Sequence, residues 1–174
     1  WLLGAGESSD GHHMSSPHPE GAGAAQAMLA ALSQAQLQPR DVDYLNLHGT
    51  GTPGNDAAED VAVCAVFGDE LPCSSTKGHT GHTLGAAGGV EAAIGMLALQ
   101  NGVLPAGLNV QTRDPALKAR YLRETQQKKV RVVASNSFGF GGSNACLVFR
   151  AATCARPPAP TATAPAPRAP PHAP

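Results

Sequence analysis

The sequence predicts a layered α/β fold, and three observations carry that expectation. Apolar runs with strand character alternate with segments of helical period, the last two strand-like runs follow one another with no helix between them, and three polar glycine-rich loops each come directly after a predicted strand.

Taken in order, residues 2–3 read as the end of a strand, followed by a polar stretch over 6–19. Met28, Leu29 and Leu32 recur at helical spacing within residues 20–36, which predicts a helix that Pro39-Arg40-Asp41 terminates. Residues 42–47 (VDYLNL) alternate with period two and predict a strand. A loop follows, and then a helix over about 55–67 with Asn55 or Asp56 as its cap. Gly68-Asp69 ends that helix, and residues 71–75 read as a short strand. The run from 84 to 100 is long, apolar and rich in Ala and Gly, which predicts a closely packed, buried helix. Residues 105–129 are irregular and hold eight of the 25 charged side chains. Residues 130–134 (VRVVA) predict a strand, 136–144 a loop, and 145–149 a final strand.

Composition removes several classes of function. The 174 residues carry 12 basic and 13 acidic side chains, a formal net charge of −1, which argues against a nucleic-acid binder with its basic excess. Aromatic residues make up only 4%, too few for a base-stacking platform. No apolar run approaches the roughly 20 residues of a membrane span, and no basic start with an apolar core marks a secretion signal. Residues 151–174 contain nine Ala and eight Pro and no periodicity, so this tail is expected to be disordered or extended and residues 1–150 to form the folded domain. Cys64, Cys73, Cys146 and Cys154 form no C-x-x-C pair and sit at no glycine-flanked strand-to-helix turn. All four are read as reduced, structural thiols of a cytoplasmic protein. A start at Trp1 rather than Met suggests a fragment.

The chemistry is concentrated in the three loops. They are HGTGTPGND (48–56), SSTKGHTGHTLG (74–85) and NSFGFGGSN (136–144), placed where α/β sheets assemble their sites. A zinc site on His48, His79 and His82 lacks a Cys or carboxylate at ligand spacing, so no metal is expected. A phosphate cradle on the third loop lacks the Lys-Ser/Thr ending and a following helix. Tight glycine turns with satisfied histidines would explain any one loop, but three in order argue for a shared site.

These motifs, with the opening GESSDGHHMSSPHPEGAG, resemble the C-terminal half of the β-ketoacyl-acyl-carrier-protein synthases, condensing enzymes of the thiolase fold. The likeness covers roughly residues 1–150. It implies a thiolase-like layered α/β/α fold, C-terminal half only, and a decarboxylative Claisen condensation of an acyl thioester with malonyl on acyl carrier protein, in fatty-acid or polyketide-type synthesis. It implies that His48 and His82 are the catalytic histidines that stabilise the enolate formed when carbon dioxide leaves. Lys77 matches the family's buried lysine, and we expect it to pair with Glu91 and thereby fix the His82 loop. The resemblance further implies that Thr50 and Thr52 contact a phosphopantetheine arm, and that Phe140 gates the site and lends a backbone N–H to the oxyanion hole. Gly139, Gly141 and Gly142 would let that loop move. Asp56 and Glu59 match acidic family positions, although charges favoured by a helix N-terminus account for them equally well.

The resemblance also sets expectations about cofactors and partners. No cofactor is expected, since the phosphopantetheine arrives on the carrier protein. The partners expected are acyl carrier protein and a second ketosynthase-type subunit, as homodimer or heterodimer, with no nucleic acid and no membrane. Arg113, Lys118, Arg120 and Arg123 are the local candidates for docking an acidic carrier. No Cys here matches the family nucleophile, which lies in the N-terminal half, so residues 1–150 alone are expected to lack the acyl-accepting step and to be poorly stable. The alternative is a non-catalytic, chain-length-factor-like partner of a ketosynthase, which retention of His48, Lys77 and His82 argues against.

Overall fold

The computed structural model describes residues 1–152. Cys154 and nearly all of the expected disordered tail at 151–174 lie outside the described residues.

A mixed five-stranded sheet organises the chain. Its strands are β1 (Leu2–Ser9), β2 (Tyr44–Asn46), β3 (Cys73–Ser74), β6 (Val132–Gly139) and β7 (Ser143–Arg150), in the order β1-β7-β6-β2-β3. The long helix α2 (Pro53–Phe67) joins β2 to β3, which are parallel, as a crossover connection requires. The closing strands β6 and β7 form an antiparallel hairpin, and β7 pairs antiparallel with β1. A second ladder, β4 (Val103–Leu104) with β5 (Gln126–Gln127), lies in the segment expected to be irregular.

The alternation along β6 assigns the layers. Val132 and Ala134 pack with Met28 and Leu32 of α1 (Ala22–Ala35) and with Ala62 and Val63 of α2. Val133 faces the opposite way, joining Tyr44, Leu104, Leu122 and Val130. Helix α4 (Ala87–Asn101) covers that second face, with Gly95 against Val133. The result is helix on sheet on helix. Helix α1 lies unusually close to β1, because a Cβ added at Gly6 would collide with the Ala27 carbonyl and the Ala31 amide. Alanines on the facing side of the helix permit that approach.

Several expectations need correction. Strand β1 runs on to Ser9, well into the stretch read as polar loop, because ladder pairing with β7 accommodates Glu7, Ser8 and Ser9 on an edge strand. Helix α2 begins at Pro53 with Thr52 at its N-cap, since proline suits the first helical position. Two shorter pieces, α3 (Lys77–Thr80) and a 3₁₀ turn (Leu84–Ala86), occupy the second loop, so the long helix starts at Ala87 and not at Leu84. Most of the third loop is strand: Asn136, Ser137, Phe138 and Gly139 pair with Cys146, Ala145, Asn144 and Ser143, leaving only Phe140–Gly142 as the turn. Helix α4 is not buried all round. Ala87, Glu91, Gly95 and Ala98 face the sheet, while Met96 and Leu97 are about half exposed.

Candidate active site

Strand β2 delivers His48 just past its C-terminal end, and the carboxylate of Glu59 fixes the backbone there. Glu59 accepts the His48 N–H and the Gly49 N–H at 2.8 Å each, and the Asn136 side-chain N–H at 3.1 Å. Glu59 is buried, and burial raises its pKa while these donors pull it back. Ser75 ties the first two loops together by donating its hydroxyl to the Gly49 carbonyl at 2.6 Å. Glu59, expected either as an acidic family position or as a charge favoured by the helix N-terminus, is buried and holds the His48 loop.

Lys77 lies buried at the start of α3. Its ammonium donates to the His48 carbonyl and to Glu91 Oε1, and lies 3.4 Å from His48 Nδ1. The Lys77–Glu91 ion pair, across two elements, is the expected one. Burial raises the pKa of Glu91 and the lysine opposes that shift. An ammonium has only protons to offer, so His48 Nδ1 is the acceptor and its ring proton sits on Nε2. His48 is 6% exposed and its pKa is lowered to about 3, first by burial, then by the Lys77 charge and by His82. His48 is therefore a neutral imidazole.

His82 is held differently. It is exposed, and its Nδ1 accepts the Leu84 N–H at 3.3 Å, which again leaves Nε2 as the ring nitrogen able to donate. Leu84 reaches this position with φ +52°, a left-handed conformation rare for leucine. The two histidine rings meet edge to face, centroids 5.4 Å apart at 83°. Phe138, also 5.4 Å from the His48 ring, closes the apolar side.

The other expected residues lie farther out. Thr50 and Thr52 hydrogen-bond each other through their hydroxyls at 2.8 Å. Phe140 is 84% exposed at the tip of the β6–β7 turn, where Gly141 has φ +82°. Gly139 ends β6 with extended backbone that any residue adopts. A cavity of about 500 Å³ opens beside the cluster, lined by Thr50, Glu59, Lys77, His82, Leu108 and Tyr121 among others. Sequence reasoning missed Phe138, Leu84, Asn46 and Asn136. The oxygens Asn46 Oδ1, Glu91 Oε2, Ser135 Oγ and Asn136 Oδ1 are buried with no hydrogen-bond partner among the described residues. Among the described residues no group of three His, Cys, Asp or Glu is placed to hold a metal, and no helix is long and apolar enough to cross a membrane. The thiols of Cys64, Cys73 and Cys146 are free and each is pushed up by burial, Cys146 to about 12, so none is poised as a thiolate.

Comparison with known proteins places this arrangement. A family model described as "Beta-ketoacyl synthase, C-terminal domain" matches residues 1–111. The chain is 49% identical over 155 residues to the mitochondrial 3-oxoacyl-[acyl-carrier-protein] synthase of Arabidopsis thaliana, covering 85% of this chain and 34% of that protein. Among solved structures it matches the ketosynthase ApeO, in complex with its chain length factor ApeC, from Xenorhabdus doucetiae, with TM-score 0.83, 48% identity, and 87% and 39% of the two chains covered. A type II polyketide synthase assembly of an acyl-carrier protein with its ketosynthase matches at TM-score 0.82 and 30% identity, covering 86% and 38%. The chain thus spans about a third of the length of the relatives it matches.

Proposed function

The chain belongs to the β-ketoacyl synthase family as its C-terminal domain, with the thiolase-like fold of its structural relatives, and from that premise we propose that it supplies the decarboxylating half of a condensing enzyme. The supporting observation is the pair His48 and His82, each with Nδ1 engaged so that Nε2 is the nitrogen able to donate, their rings 5.4 Å apart. Two such donors suit the thioester oxygen of a bound malonyl group. When the bond to the carboxylate breaks, carbon dioxide leaves, its bonding pair enters the enolate, and the oxygen that gains charge takes the two N–H bonds. Preorganised donors of this kind act on charge that develops only in the transition state. The enolate carbon then attacks the carbonyl of an acyl thioester and expels the thiolate that carried it.

Within this scheme Lys77 positions. Its bonds to the His48 carbonyl, to His48 Nδ1 and to Glu91 hold the ring neutral and oriented. Glu59 anchors the same loop from the other side. Thr50 and Thr52 present hydroxyls at the rim, suited to the amides of a phosphopantetheine arm, and the Phe140 turn supplies a backbone N–H for the second carbonyl. No resident cofactor enters the scheme. The acyl-accepting cysteine comes from the other half of the enzyme, in keeping with three inert thiols among the described residues. Partnership with an acyl carrier protein and a second ketosynthase-type subunit is supported by the relatives solved in such complexes. Free thiols support a reducing, cytoplasmic setting.

The test is malonyl-thioester decarboxylation by the enzyme that carries this chain. His48→Ala and His82→Ala should each slow it by about 10²–10³-fold, the cost of removing one oxyanion donor, while transfer of an acyl group onto the cysteine persists. Unchanged decarboxylation in either variant would contradict the assignment.

A further inference from the structure

Three histidines outside the site, His12, His13 and His18, occupy the twelve residues that link β1 to α1, and their ring nitrogens fold that loop. His13 Nδ1 accepts the Ser15 N–H at 3.1 Å, and His18 Nδ1 accepts the Glu20 N–H at 3.2 Å. The His12 and His18 rings touch, centroids 5.0 Å apart. The loop in turn clasps the β6–β7 turn: the Gly141 N–H donates to the Met14 carbonyl at 2.8 Å, and the Asp10 N–H donates to the Gly142 carbonyl at 2.8 Å. Asp10 binds both sides, accepting from the Asn144 side chain at 2.8 Å and from the His18 N–H at 3.0 Å. Asp10 also packs against Gly142, where an added Cβ would lie 2.8 Å from the Asp10 Cβ.

We propose that this histidine-folded loop is a pH-sensitive latch on the turn that carries Phe140. The geometry requires unprotonated Nδ1 atoms at His13 and His18, because an imidazolium has a proton there and accepts nothing. Protonation therefore removes both internal loop bonds and sets two like charges in contact at His12 and His18. The clasp holds while these rings are neutral and loosens when they take up protons. Around the loop, β1 carries Glu7, and α2, which meets Gly21 at Ala58 and Ala62, carries Asp56, Glu59 and Asp60. Asp10 and Glu20 lie within the segment; α1 (Ala22–Ala35) contains no ionisable side chain, nor does the stretch from Phe140 to Asn144. Both oxygens of Asp10 are engaged, by the Asn144 side chain and by the His18 backbone N–H. The latch is a property of the loop and does not depend on the condensing reading; only its consequence, control over the position of the Phe140 turn, rests on it.

Amide hydrogen exchange of the full chain, followed by NMR at pH 7.5 and 5.5 and corrected for intrinsic rates, tests it. Protection at Gly141 and Asp10 should fall about tenfold at the lower pH, as expected for the loss of one or two hydrogen bonds, while Ala134 and Val148 in the central strands keep theirs. In the triple variant His12→Asn, His13→Asn, His18→Asn, whose side-chain oxygens accept at either pH, protection at Gly141 should not change. The same fall in that variant would overturn the proposal, as would no fall in the original chain, or a parallel fall at Val148 that marks global opening.

Discussion

The inner and outer halves of the site are built on opposite terms. Inside, His48, Glu59 and Lys77 are buried and multiply bonded, and Glu91 is buried against the Lys77 ammonium. Outside, His82, Thr52, Leu84 and Phe140 stand in solvent, held by backbone amides and short turns. The inner half is a finished scaffold that fixes one imidazole. The rim presents its groups to solvent, as do Met96 and Leu97 on the outer side of α4.

That contrast can be broken by substitution. The largest effect is expected from Lys77→Met, which leaves Glu91 buried without its cation. Denaturant unfolding should show a loss of about 3–5 kcal/mol, and Lys77→Met with Glu91→Leu should recover much of it. Glu59→Ala orphans the His48 and Gly49 amides and the Asn136 side chain, for an expected loss of about 2–3 kcal/mol by the same measurement.

The pH dependence of stability separates His48 from its surroundings. Its pKa is lowered to about 3 in the fold, so the unfolded chain binds the extra proton first as pH falls. The stability His48 contributes is complete above about pH 6.5 and declines toward pH 3, by up to about 1.4 kcal/mol per pH unit. Glu59 and Glu91 work in the opposite sense, because their raised values favour the folded state as pH falls. The comparison that isolates the histidine is therefore the original chain against His48→Gln, whose unfolding free energy should lack the acid-side decline. A decline of equal slope in both would assign it elsewhere.

The smallest effects belong to the rim. His82→Ala and Phe140→Ala should each shift stability by less than about 0.5 kcal/mol, as exposed substitutions do. His82→Ala should nonetheless be among the most damaging to malonyl decarboxylation. A large stability loss at either position would erase the distinction between scaffold and rim.

How much of this was legible in the sequence follows the same division. His48, Lys77 and His82 stand in contiguous polar loops after strands, and such loops announce themselves. Glu59 reads as one more acid near a helix start, since nothing in a helical period tells which face turns back under the preceding strand. Phe138 was hidden because Ser, Asn and Gly around it look like a loop, whereas ladder pairing between β6 and β7 keeps them in strand as far as Gly139. Leu84 contributes through a backbone conformation that its side chain gives no hint of. Helix α4 misled in the other direction. Apolar composition all round predicts burial, and the described residues cover only one of its faces.

The account rests most heavily on two imidazoles that both present Nε2–H. Long-range ¹⁵N–¹H correlation NMR on histidine-labelled protein at pH 7 reads this directly. The expected result for both His48 and His82 is a neutral ring with Nδ1 unprotonated and Nε2 carrying the proton. A ring protonated on Nδ1 at either position, or an imidazolium at His48, would contradict it.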